Sequence, residues 1–328
     1  MTTPRMSVVM PVYNVEAYIE EAIQSVLDQS FEDFELIIVD DGGPDGSIEL
    51  ARQFRDPRIR IISQANRGLA GARNTGIAHA RAPYIALLDS DDRWLRDKLL
   101  HHFVHLEANP QVGVSYSGSR MIDETGRPMA VAMRPKLTGV RARDVLCRNP
   151  VGNGSAPVLR RTALDRAAFR RAEEPDRICW FDESFRQSED IELWVRLSGL
   201  HAVRFEGIEG LLTEYRIIGG ALSANVVKQY LTWSRMLDRA RENSPELVAQ
   251  HGDLARAYQL RYLARRSVQL GNGELAEDLL GRAIGLAPRI LWEEPLKSAV
   301  TWGAVKLARL AGPGKFKRLM RPYLGAAA

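Results

Sequence analysis

Asp89 and Asp91, two residues apart in the run Leu87-Leu88-Asp89-Ser90-Asp91-Asp92, are the sharpest chemical feature of the sequence. They follow a short apolar run, which places them in the turn after a buried strand. Such a pair can hold one hard divalent cation, Mg2+ or Mn2+, which prefers oxygen ligands and is usually shared with substrate phosphates. A cation there would neutralise a diphosphate as it departs. The same residues admit a second reading as caps of a helix over residues 94–100, with Asp92 best placed for that job.

A second acidic pair, Glu189-Asp190, opens an apolar helical stretch at 191–197. A carboxylate held there can take a proton from an attacking hydroxyl. Alternatively, Ser188 caps the helix and both acids decorate its first turn. Asp40 and Asp41 close an apolar run at 35–40 and can accept hydrogen bonds from a base or ribose, or simply turn the chain before Gly42. Residues 66–74 form a small-residue run that opens a helix. It lacks the spacing of dinucleotide and P-loop motifs, and suits either close approach to an anion or close helix–sheet packing. Arg216, after Tyr215, is the one cation before a neutral run at 217–223; its fork suits a diphosphate, or it is a solvated surface group. His101, His102 and His105 read as a solvated helix face rather than a metal site.

The elements that must position these groups alternate. Apolar runs at 7–12, 35–40, 60–63 and 84–88 read as strands. Helical spacing lies between them, with Ile19, Ala22, Ile23, Val26 and Leu27 on one face. That order predicts an α/β fold with a mainly parallel sheet flanked by helices. Ligands of such sheets bind outside the carboxyl ends of the strands. Tyr13 and Asn14, Asp40 and Asp41, and Asp89 and Asp91 all fall at those ends. A further short strand is expected at 158–160, and helices only from residue 226.

Taken in order, the segments 8–14, 25–42, 66–92 and 181–198 resemble family 2 of the glycosyltransferases, with the GT-A type fold. The resemblance spans roughly residues 6–225. It implies an inverting transfer from a nucleoside-diphosphate sugar, a UDP-sugar first, to a hydroxyl of a glycan or lipid-linked acceptor in cell-surface polysaccharide or lipopolysaccharide synthesis. Pro11, Tyr13, Asp40 and Asp41 match nucleoside-binding positions, with Asn14 beside them. Arg73 and Asn74 match positions near the sugar and phosphates. Asp89 and Asp91 match the metal motif as the Mg2+ or Mn2+ ligands, Asp89 and Ser90 are also expected to bind the nucleotide-sugar, and Asp190 matches the catalytic base. Arg216 is expected on the diphosphate. Two positions depart from the family pattern: Gly43 stands where Ser is common, and Ile217-Ile218 where His often follows the Tyr-Arg pair. These departures motivate the alternative of a non-catalytic, transferase-like docking module.

With 328 residues, a large α/β domain at 1–225 and a smaller helical region at 226–328 are expected. The net charge is +4, and no acidic residue follows Glu294 while seven Lys and Arg do. Leu296, Val300, Leu307 and Leu310 fall on one stripe of this tail, which suits either an anionic membrane surface or docking on the domain. Leu260, Ala264, Ala276, Leu280, Ala283 and Pro288 fit one tetratricopeptide-like helix pair, too few for a solenoid. Cys147 and Cys179 have no metal-ligand spacing, and no apolar stretch reaches the roughly 18 residues of a membrane span. A cytoplasmic protein, peripheral at the inner face of the membrane, is the expectation. The basic charge is not interleaved with aromatics, which argues against nucleic acid.

Overall fold

The computed structural model describes residues 3–218 and 226–324, with side chains described as far as residue 310. Part of the 217–223 run and the side chains of the last basic residues lie outside the described residues. The elements run β1 (Met6–Val12), α1 (Ile19–Leu27), β2 (Phe34–Asp40), α2 (Ser47–Ala51), β3 (Ile59–Ser63), α3 (Gly68–His79), β4 (Tyr84–Leu87), β5 (Arg93–Trp94), α4 (Lys98–Ala108), β6 (Val112–Ile122) and β7 (Pro128–Met133). There follow α5 (Ala142–Arg148), β8 (Val158–Arg160), α6 (Arg161–Leu164), β9 (Phe169–Arg171), β10 (Glu174–Cys179), α7 (Glu189–Gly199) and β11 (Arg204–Arg216). The helices α8 (Val226–Asn243), α9 (Pro245–Gln269), α10 (Gly273–Leu286), α11 (Ile290–Glu293) and α12 (Pro295–Leu324) complete the chain.

The main sheet has the order β3-β2-β1-β4-β8-β6-β11-β5, with β7 on β6. Strands β1 to β4, β6 and β11 run one way; β5, β7 and β8 run against them. The mainly parallel α/β sheet expected from the sequence is therefore present. Strands β1 and β4 are buried along their whole length, which explains their continuous apolar runs. Met6, Val8, Met10 and Val12 pack with Ile19, Ala22, Ile23 and Val26 of α1 and with Leu99 and Leu106 of α4. On the other face α3 lies against β1 and β2. A side chain at Gly76 would meet Val9 Cγ1 at 2.3 Å, so the small residues of α3 serve close helix–sheet packing.

Compactness divides the chain into two units. One holds residues 1–122, 126–142 and 150–216; the other holds 123–125, 143–149 and 217–328. In the second unit α9 and α10 form the helix pair. Leu260, Ala264, Ala276, Leu280 and Ala283 are buried in it, and Gly271 turns the chain with φ +79°.

Two expectations fail around α4. Residues 93–94 form a strand because they pair with Thr213 and Glu214, and the helix begins only at Lys98. Nor do the histidines share one solvated face: His101 is exposed, but the other two turn to the sheet. His102 is fully buried, bonded through Nδ1 to Ser115 Oγ at 2.7 Å, and His105 bonds the same hydroxyl at 2.8 Å. Lys98 is buried beside them, donating to Ala156 O at 2.7 Å and approaching His102 Nε2 at 3.3 Å.

Burial pushes the Lys98 ammonium from 10.5 down to about 7. Between those values the unfolded chain holds a proton that the folded chain releases, so this lysine's contribution to stability falls as pH drops from the upper value to the lower. The Lys98→Met variant removes that slope. Its melting temperature relative to the native chain should be higher at about pH 7 than at about pH 9.5. A difference that stays flat across this range rejects a deprotonated buried lysine.

Candidate active site

Strand β4 delivers Asp89–Asp92 to the carboxyl edge of the sheet, and the turn is fastened on three sides. Ser90 Oγ donates to Pro11 O at 2.7 Å, tying it to β1. Asp89 N donates to Ser155 Oγ at 3.0 Å, and the same hydroxyl donates to Asp92 at 2.6 Å. From the end of β11, Arg216 N donates to Asp92 at 2.8 Å and Arg216 Nε to Asp91 O at 2.8 Å. Asp92 is therefore a buried anchor and not a helix cap. Arg216 is not a solvated cation either. It is 4% exposed, pairs with Glu21 at 2.8 Å and lies over the Tyr18 ring.

Asp91 differs from its neighbours. Among the described residues no other side chain bonds its carboxylate, and burial together with the charge of Asp89 pushes it up to about 6. The charges of Arg216 and Arg73 oppose that rise only in part, and two hard oxygen donors so placed could hold a divalent cation. Among the described residues no three His, Cys, Asp or Glu side chains converge into a cage. Asp89 and Asp91 thus fit a cation whose remaining ligands come from substrate phosphates and water, the usual arrangement for Mg2+.

The second acidic site reaches this turn through one guanidinium. Arg73, 1% exposed on α3, donates to Asp89 at 2.6 Å and to Glu189 at 2.8 Å. Burial works against its charge, but Asp89, Glu189 and Asp190 outweigh it and raise its proton affinity. The 153–156 loop closes over the pair: a side chain at Gly154 would meet Arg73 Nη2 at 2.2 Å and Asp89 Oδ2 at 2.8 Å. Burial pushes Glu189 up to about 7 against the pull of Arg73.

Asp190, the next residue, is half-buried and takes the Ile191 amide at 2.8 Å. Burial raises its proton affinity, the Arg73 charge opposes the rise, and Asp89 adds to it. The turn before it is sharp: Ser188 sits at φ +62° and makes no side-chain cap, contrary to the capping alternative.

Other expected contacts divide into those free to meet a ligand and those already engaged. Tyr13 is half-exposed and Asn14 exposed at φ +56°, while Asp40 is half-buried and takes bonds from Gly42 N and Ser63 Oγ. Asp41 is turned inward. It receives Arg67 N at 2.8 Å, Gly68 N at 2.9 Å and Gln64 Nε2 at 2.6 Å, so it fills the N-terminus of α3 that an anionic ligand would otherwise use. Asn74 is fully buried, accepting from Trp180 N and Phe181 N and donating to Phe181 O and Glu183. Asp41 and Asn74 are thus engaged by protein groups that hold α3 and the approach to α7, and Pro11 and Ser90 likewise hold each other. Sequence reasoning missed Glu21, Gly154 and Ser155. The only trace of the latter two is a small polar triplet, Asn153-Gly154-Ser155, before β8. A separate cavity of about 650 Å³, lined by Arg161, Glu174, Arg177 and Trp180 among others, includes none of Asp89, Asp91, Glu189 and Asp190.

Because Arg73 is buried between two carboxylates, Arg73→Met should cost about 3–5 kcal/mol in a urea titration. Adding Glu189→Gln should recover part of that loss, since it removes one stranded charge. Additivity of the two substitutions within about 0.5 kcal/mol would show that the pair is not coupled.

Comparison with known proteins gives the family and the fold. The family described as Glycosyl transferase family 2 matches residues 7–167. A Bacillus subtilis protein whose provisional name is teichuronic acid biosynthesis glycosyltransferase TuaG is 30% identical over 227 residues, covering 68% of this chain and 82% of TuaG. The uncharacterized glycosyltransferase EpsJ of the same organism is 54% identical over 91 residues, 27% of this chain and 26% of EpsJ. Among solved structures, S. aureus TarS 1-349 in complex with UDP-GlcNAc superposes with a TM-score of 0.61 at 17% identity, covering 94% of this chain and 92% of that one. A mannosyltransferase from Pyrobaculum calidifontis in complex with GDP-Man and Mn2+ gives 0.55 at 19% identity, over 94% and 88%. The sheet order, the acidic turn after β4 and these matches place the chain in glycosyl transferase family 2, with the GT-A fold.

Proposed function

We propose that this chain is an inverting, metal-dependent glycosyltransferase. In this reading it moves a sugar from a nucleoside-diphosphate sugar to a hydroxyl of a glycan or lipid-linked acceptor in cell-surface polysaccharide synthesis. The observation that carries the reading is the Arg73 bridge, which sets the Asp89–Asp91 turn and the Glu189–Asp190 turn against one side chain. The nucleotide-sugar complexes of TarS and the Pyrobaculum enzyme support the donor class, and the name of TuaG supports the polysaccharide context.

In this reading Asp89 and Asp91 would hold the divalent cation, which would supply positive charge to the departing diphosphate. Tyr13, Asn14 and Asp40 meet the nucleoside at the exposed edge. Arg216 keeps the Asp91 main chain in place and is available to the phosphates only from that fixed position. The acceptor oxygen attacks the anomeric carbon opposite the diphosphate: the new C–O bond forms, the bond to the phosphate oxygen breaks, and the hydroxyl proton passes to Asp190. Asp190 suits that role better than Glu189, whose carboxylate is engaged by Arg73. Burial makes Asp190 a better proton acceptor than an exposed carboxylate, and the charge of Arg73 moderates the shift.

Released diphosphate, measured over a panel of UDP- and GDP-sugars with and without Mn2+, identifies the donor. Asp190→Asn should lower turnover by about 10²–10⁴. Full activity in that variant, with metal present, removes Asp190 as the base. Calorimetry should find Mn2+ binding weak to the chain alone and stronger once UDP or GDP is added, because two carboxylates leave most of the shell to phosphate and water. Tight Mn2+ binding without nucleotide contradicts that assignment.

A further inference from the structure

Helix α12 carries two apolar faces. Thr301, Val305 and Ala308 lie along one face, each under 5% exposed. In this same helical unit α12 packs on α9 and α10, and a side chain at Gly273 would strike the Ala308 main chain at 2.9 Å. Leu296, Val300, Leu307 and Leu310, spaced by four, seven and three residues, share the opposite face. Leu296 is 77% and Leu310 85% exposed, and Trp292 just before the helix is 69% exposed. Single exposed apolar residues are ordinary on a soluble protein, but several large ones on one helix face, here interrupted at Gly303, mark an interaction surface.

Charge selects what covers the stripe. Residues 295–328 hold seven Lys and Arg and no Asp or Glu. Lys306 pairs with Glu277 at 2.6 Å, Lys297 with Glu294 at 2.8 Å, and Arg309 with Glu274. Lys315, Lys317, Arg318 and Arg321 follow with no acid after them in the sequence. An anionic surface gains from both halves of the pattern, the apolar stripe and the basic end. No described helix is long and apolar enough to cross a membrane, so the contact is made along the surface.

We propose that the exposed face of α12, with the basic end that follows it, lies on an anionic lipid surface. There it holds the protein peripherally at the negatively charged inner leaflet of the cell membrane. This goes beyond the transferase reading and does not depend on it.

The test is co-sedimentation of the full chain with phosphatidylglycerol vesicles and with neutral phosphatidylcholine vesicles. Binding to the anionic vesicles should be at least about tenfold stronger and should weaken as salt shortens the reach of the charges. Leu296→Ser with Val300→Ser and Leu310→Ser should lower binding by about tenfold or more while leaving the circular-dichroism melt in place. If that variant does not fold, reversing Lys315, Lys317, Arg318 and Arg321 to Glu decides, with the same loss expected. Equal binding to both vesicle types, no binding to either, or undiminished binding by the folded stripe variant overturns the proposal. So does a dimer in analytical ultracentrifugation that the stripe variant dissociates, since the stripe then covers a second copy.

Discussion

A single guanidinium organises the acidic centre of this protein. Arg73 is 1% exposed and shared between Asp89 and Glu189, which stand 100 residues apart in sequence. Removing a charge from water is expensive, and a buried pair persists only when geometry returns the cost. Here both distances are under 3 Å, and the positive charge faces two carboxylates at once. The bridge therefore fixes relative position more than it adds stability. If the α7 turn moved, Arg73 would be left beside one partner in a dry site, so the arrangement resists partial opening.

Much else in the sheet unit exists to hold that bridge. Asn74, the neighbour of Arg73, binds the main chain of Trp180 and Phe181 on the approach to α7. Asp41 occupies the N-terminus of α3 and so anchors the helix that carries Arg73. Ser155 closes the other side by bonding Asp89 N and Asp92 together. Several polar residues at the ligand edge thus make contacts to protein, and their chemistry is spent on orientation. The groups left with free capacity, Asp91, Asp190, Tyr13, Asn14 and Asp40, form a shorter set.

The division between these sets decided what could be read from sequence. Strands β1, β2 and β4 were legible because burial on both faces leaves a nearly continuous apolar run, and α1 because its buried face follows the helical period. The acids were legible as types at strand ends. Their engagement was not. Whether Asp41 faces a ligand or caps α3 depends on where residues 64–68 return, and Arg216 looks solvated until Glu21, Asp91 and Asp92 are brought to it. Local pattern also misread residues 93–94 and the His101–His105 stretch. Trp94 is held by strand pairing with Thr213, and His102 by Ser115 of the strand beneath α4, neither of which helical spacing encodes.

The same contrast explains why the acidic turn stays poised. Asp89 is compensated by Arg73 and Asp92 by the Ser155 hydroxyl and the Arg216 amide, whereas Asp91 has neither kind of partner among the described side chains. Its charge is disfavoured by burial and by Asp89. A protein that satisfied all three acids internally would gain stability and lose any reason to bind a cation. Leaving one carboxylate short of partners, on a turn fastened at both ends, keeps the repulsion available to a ligand. The anchors keep the turn from relaxing by moving apart, and the charges of Arg216 and Arg73 offset the repulsion only in part.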